Sequence, residues 1–126
     1  MKTAHDLVEQ ARSHIQEVSL ADAEAAIQAA DLLIDVREAD EYHQGHIASA
    51  LNIPRGLLEF KLSSTPELGA RDLNILLYCK TSGRAALAAA SLQEMGYLRV
   101  KSIAGGFDAW HEAGLPIVKP SLPSFE

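Results

Sequence analysis

The 126-residue sequence holds a single cysteine, Cys79, so no internal disulfide can form and nothing demands an oxidising compartment. It lacks any run approaching the roughly 18 apolar residues that a membrane-spanning helix requires. Positive charge is scarce: 11 Lys and Arg stand against 17 Asp and Glu, for a net charge of -6. No face is rich enough in Lys and Arg to bind nucleic acid. The start, Met1-Lys2-Thr3-Ala4-His5-Asp6, meets charge too soon for a secretory signal. There is no internal repeat and no low-complexity block. These absences lead us to expect a soluble, cytoplasmic chain with neither a nucleic-acid nor a membrane partner.

What is present suits one globular domain. Hydrophobic residues make up 48% and charged residues 22%, and a chain of this length buries a core without disulfides or a metal. Thr3 with Asp6 reads as a helix cap, and Leu7, Val8, Ala11 and Ile15 share one face of a helix expected over residues 4–16. Ser19 with Asp22 repeats the signal before an Ala-rich helix over 20–30, with a short strand expected near Glu17 and Val18. The apolar run 32–36 suits a strand buried on both faces. A brief helix over 38–44 stops at Gly45, a strand over 50–53 stops at Pro54, and 56–68 holds a helix and an irregular connection.

Asn74-Ile75-Leu76-Leu77-Tyr78 is the clearest strand, followed after a turn by a helix over 84–95 that ends at Gly96. The last strand is expected over 100–103. Gly105-Gly106 then opens a short helix through Phe107 and Trp110, closed by Gly114 and Pro116. This alternation predicts an α/β fold, a parallel sheet of about five strands with helices on both faces. The Pro- and Ser-containing tail, 119–124, reads as a loosely held terminus.

In open parallel sheets, ligands bind beyond the carboxyl ends of the strands. Cys79 stands at such an end, directly before a helix, where a space-filling thiol has little reason to be. The residues after it, Lys80, Thr81, Ser82, Gly83 and Arg84, are small or basic. A tight turn of that composition aims successive N–H groups inward as an anion nest, and the following helix adds the positive end of its dipole. Lys80 and Arg84 add full charge. All of these favour a thiolate, the nucleophilic form of cysteine, beside a cradle for an anionic substrate.

Cys79-Lys80-Thr81-Ser82-Gly83-Arg84 resembles the active-site loop of rhodanese-like domains, a cysteine with an arginine five positions on. Asp35-Val36-Arg37-Glu38 with Glu41-Tyr42 is similar to that family's first signature, and Gly45-His46-Ile47 with Ala50-Leu51-Asn52-Ile53-Pro54 to its next. Gly105-Gly106-Phe107-Asp108-Ala109-Trp110, with Gly114-Leu115-Pro116-Ile117, is similar to its closing segment. The resemblance implies a rhodanese-like domain over 19–118 and leaves the helical extension over 1–18 and the tail over 119–126 outside it. It implies a thiosulfate sulfurtransferase in which Cys79 attacks the outer sulfur of thiosulfate or a similar small anionic donor. The persulfide so formed passes its sulfur to a thiol, to cyanide or to a protein acceptor, with no metal and no organic cofactor.

Other residues carry plainer expectations. A cation at a helix N-terminus opposes the dipole, so Arg84 calls for a compensating anion, expected to be the substrate. Thr81 and Ser82 serve equally as pocket hydroxyls or as helix caps. Asp35 and Arg37 support the site structurally: Asp35 takes backbone or Arg donors, and Arg37 pairs with Glu38 or Glu41. His43 and His46 lack a third metal ligand nearby, and Phe107 and Trp110 read as core packing. A dual-specificity-type phosphatase is the first rival, but its loop has five residues between Cys and Arg where this one has four, and Tyr78 precedes Cys79 in place of His. The second rival is a sulfur-carrier or partner-binding module with little thiosulfate turnover.

Overall fold

A computed structural model describes residues 1–120 of the chain. Helix α1 (Ala4–Arg12) begins with a reciprocal cap: the Asp6 N–H donates to Thr3 Oγ1 at 3.1 Å, and the Thr3 N–H donates to Asp6 Oδ2 at 2.9 Å. The helix is shorter than its apolar stripe predicts, because Gln16–Val18 forms strand β1. Then follow α2 (Leu20–Ala29), β2 (Leu32–Asp35), α3 (Ala39–Gln44), β3 (His46–Ile47) and β4 (Leu51–Asn52). Residues 55–68 fold as two 3-10 turns flanking α4 (Leu58–Ser64). The chain continues through β5 (Asn74–Tyr78), α5 (Gly83–Glu94), β6 (Arg99–Ile103), α6 (Gly106–Glu112) and β7 (Ile117–Val118).

Five strands form one parallel sheet in the order β1-β6-β5-β2-β4. Strand β5 lies at its centre, which is why Ile75 to Tyr78 is continuously apolar and buried. Alternate residues feed two cores. Ile75, Leu77 and Cys79 pack with α4 and α5 through Leu58, Leu62, Ala88 and Leu92. Leu76 and Tyr78 pack on the opposite face with Ala23 of α2 and Trp110 of α6. A second, two-stranded sheet joins β3 to β7 antiparallel, with Ile47 opposite Ile117. Neither His46–Ile47 nor Ile117–Val118 is long enough to carry a readable period, so the sequence does not announce this pairing.

The helical extension packs as α1 along α5, and Val8 Cγ2 lies 3.5 Å from where a Cβ on Gly83 would stand. The extension therefore abuts the junction between the cysteine loop and its helix. Lys119 and Pro120 of the expected loose tail are described; the rest of it lies outside the described residues. No helix among the described residues is long and apolar enough to cross a membrane.

One side chain ties the small sheet to the large one. The buried Ile47 N–H donates to the Tyr78 hydroxyl at 3.0 Å, and that phenol is held well above its ordinary pKa by burial and by the nearby Asp35 charge. Tyr78→Phe leaves this amide without an acceptor and should cost about 1–3 kcal/mol of unfolding free energy in urea denaturation. An unchanged midpoint would show that the hydroxyl carries no load.

Candidate active site

Strand β5 ends at Tyr78, and Cys79 is the first residue beyond it. Cys79 is 1% exposed and packs within the α5-facing core. The Ala85 N–H, from the first turn of α5, donates to Sγ at 3.4 Å. Sequence reasoning placed the amides of residues 80–84 around the sulfur. The amide that touches it here belongs to the next residue, an alanine with no side-chain signal to betray it.

The loop between Cys79 and α5 is shaped from outside, by the start of α6. The Phe107 N–H donates to the Cys79 carbonyl at 2.8 Å, and the Asp108 N–H to the Lys80 carbonyl at 3.0 Å. In a trans peptide the C=O and the following N–H point opposite ways, and the described chain has no cis bond. The Lys80 and Thr81 N–H groups therefore point away from α6. Among the described residues, none of the five amides from Lys80 to Arg84 donates to a protein acceptor. Ser82 occupies the N-cap position of α5, yet its hydroxyl makes no capping bond.

Gly106 makes this approach feasible. Its φ is +59°, and a Cβ there would lie 2.5 Å from the Cys79 carbonyl oxygen, 2.8 Å from that of Lys80, and closer still to that of Thr81. Only a residue without a side chain allows three backbone oxygens to converge on it.

The loop's charges are already partnered. Lys80 Nζ lies 2.7 Å from Asp108 Oδ2, and Arg84 donates from both terminal nitrogens to the Glu41 carboxylate at 2.7 and 3.0 Å. Glu41 thus supplies the compensating anion that Arg84 calls for, and Arg84 lowers the Glu41 pKa to about 2. Arg37 differs from expectation: it pairs with neither Glu38 nor Glu41. Its Nε and Nη2 donate to Asp35 at 2.7 to 3.1 Å, and Nη2 also donates to the Gly45 carbonyl at 2.6 Å. Both residues are buried, so the nearest carboxylate satisfies the guanidinium without exposing it. The Asn52 amide holds the same corner by donating to the Asp35 and Arg37 carbonyls at 3.0 Å.

Phe107 does more than fill the core, since its ring lies 4.2 Å under the Arg37 guanidinium. Trp110 is buried as expected and donates from Nε1 to the Pro116 carbonyl at 2.8 Å. His46 stacks on Tyr42 with ring centroids 3.7 Å apart, whereas His43 is exposed. Arg37, Glu41, Gln44, Lys80, Phe107 and Asp108 line a cavity of about 230 Å³ beside the loop. A larger depression of about 730 Å³, lined by Glu17, Ser19, Asp22 and Lys101, contains none of these groups.

Two predictions follow from this geometry. Gly106→Ala should lower unfolding free energy by more than about 2 kcal/mol in urea denaturation, through steric collision and a left-handed backbone. Gly56→Ala, with nothing within 4 Å, serves as the control and should change far less. The Glu41 carboxyl is lowered in the folded state, so its contribution is present above the ordinary value of 4.5 and is lost as pH falls toward about 2. Glu41→Gln should flatten stability across that window by on the order of 2 kcal/mol, read from urea midpoints at several pH values. An acid profile identical to wild type would refute the coupling to Arg84.

Comparison with known proteins places this arrangement. The rhodanese-like domain family matches residues 19–113. A sulfurtransferase from Allochromatium vinosum is 39% identical over 89 residues, spanning 71% of this chain and 79% of that protein. Among solved structures, a protein of unknown function from Rhodopseudomonas palustris, described as a possible tyrosine phosphatase, superposes with a TM-score of 0.85 at 33% identity, covering 94% of this chain and 96% of that one. A rhodanese-related protein from Thermoplasma volcanium gives 0.73 at 31% identity, covering 83% of this chain and 99% of the other. The matched segment runs through the Cys79 loop and the whole of α6 that shapes it: this chain belongs to the rhodanese-like domain family.

Proposed function

We propose that the chain is a sulfurtransferase in which Cys79 takes a sulfane sulfur from thiosulfate or a similar donor and delivers it to a thiol or to cyanide. The observation that carries this is the row of amides from Lys80 to Arg84, without an acceptor among the described residues, beside a cysteine whose own carbonyl is committed to α6. Such a row stabilises negative charge on a sulfur without any cofactor.

In the first half-reaction the Cys79 thiolate attacks the outer sulfur of thiosulfate. A new S–S bond forms, the old one breaks, and sulfite departs with its electron pair. The enzyme is left as a persulfide anion. In the second, the acceptor attacks the outer sulfur, which leaves as thiocyanate when cyanide is used, and the thiolate returns. The main-chain amides of Lys80, Thr81, Ser82, Gly83 and Arg84 cradle the anion, while Asp35 and Arg37 support the loop through Gly45 and Phe107. A chain whose one thiol must stay reduced is best suited to the cytoplasm.

The sulfurtransferase name of the Allochromatium relative supports this function. Phosphatase chemistry is less well served, because it needs an arginine fork for the phosphoryl oxygens and Arg84 has given both terminal nitrogens to Glu41. Intact mass spectrometry after incubation with thiosulfate should show one added sulfur, removed by cyanide and absent in Cys79→Ser. Failure to add sulfur, together with Cys79-dependent hydrolysis of an aryl phosphate, would reverse the assignment. A persulfide that forms but turns over slowly with cyanide would mark the chain as a sulfur carrier.

A further inference from the structure

We infer that Asp108 sets the donor preference of this site by holding the charge of Lys80, so that the loop favours sulfur donors of low charge over dianions. The inference rests on the sulfur-transfer function proposed above and names its substrate class. Two cations, Lys80 and Arg37, line the cavity beside the loop, and Arg84 adjoins it through Glu41; each is matched by a carboxylate, Lys80 by Asp108, Arg84 by Glu41 and Arg37 by Asp35. A doubly charged donor entering there meets no surplus positive charge from these pairs. It must draw a cation away from its partner.

The pairs are unequal in how readily they yield. Arg37 and Asp35 are buried, at 5% and 0% side-chain exposure, and share several hydrogen bonds. Arg84 and Glu41 are joined by two bonds. Lys80 and Asp108 are the most open, at 60% and 37%, and share one contact between a flexible ammonium and one oxygen. An exposed pair of this kind is weakly held, so a donor can exchange with it.

Asp108 is also fixed in place rather than drifting on the surface. Its N–H donates to the Lys80 carbonyl at 3.0 Å, so the same residue grips both the main chain and the side chain of Lys80. The carboxylate therefore competes directly with an incoming anion for the Lys80 ammonium. The competition weighs more heavily on a dianion, whose binding depends more on that charge.

The test compares thiosulfate, a dianion, with an alkanethiosulfonate, a monoanion that offers the same terminal sulfur. In the full chain, Asp108→Asn should lower KM for thiosulfate by up to about fivefold and KM for the thiosulfonate by about half that in logarithmic terms. The change should fall on KM more than on kcat and shrink at high salt. Lys80→Gln, an independent variant at an exposed position, should raise KM for thiosulfate more than for the thiosulfonate. Equal shifts for the two donors, no shift, or a loss confined to kcat would overturn the role of Asp108. A wild-type protein that takes no sulfur from either donor would instead overturn the sulfurtransferase function itself, a result distinct from an unaltered KM ratio.

Discussion

The site depends on one backbone-against-backbone contact: the start of α6 pressed against the turn that follows Cys79. Three carbonyl oxygens converge on Gly106, and two of the loop's carbonyls, from Cys79 and Lys80, accept the Phe107 and Asp108 amides. Because peptide planes are rigid, turning carbonyls toward α6 turns the next amides away from it. The loop's open donors are thus a consequence of where its acceptors are spent. The contact needs β5 and β6 side by side and parallel, which brings the end of β5 and the start of α6 to one edge of the sheet.

Charge arranges itself around that backbone frame. Arg37 reaches Asp35, the Gly45 carbonyl and the Phe107 ring at once, so it links the end of β2, the end of α3 and the start of α6. Removing either Arg37 or Asp35 would leave the other buried and unpaired, which costs more than the pair itself contributes. Glu41 and Asp108 stand farther out and balance the two cations of the loop. The positive charge of the loop is consequently conditional on what its carboxylate partners are doing.

Much of this was legible beforehand, for physical reasons. Asn74 to Tyr78 declares itself as a central strand because both faces are buried, and Cys79 stands out because it follows a strand end and precedes a helix. The Thr3–Asp6 cap is local and is read from spacing alone. What escaped was long-range. The antiparallel pairing of His46–Ile47 with Ile117–Val118 is too short to show a period. Glu41 and Asp108 lie in stretches already singled out, yet nothing in their spacing says that 43 and 28 residues away they meet Arg84 and Lys80. The Arg37 partner is hidden in the sequence because neighbours on a prospective helix look closer than a residue two back on the strand, which the turn folds beneath it.

The central claim is that the amides following Cys79 hold a negatively charged sulfur. It is tested most directly by 1H–15N correlation spectra recorded before and after the protein is loaded with sulfur from thiosulfate. The amide resonances from Lys80 to Ala85 should move on loading and return when cyanide removes the sulfur, while those of Phe107 and Asp108, engaged with carbonyls, should move little. Sulfur bound at Cys79 with the Lys80 to Ala85 amides unmoved would contradict the account.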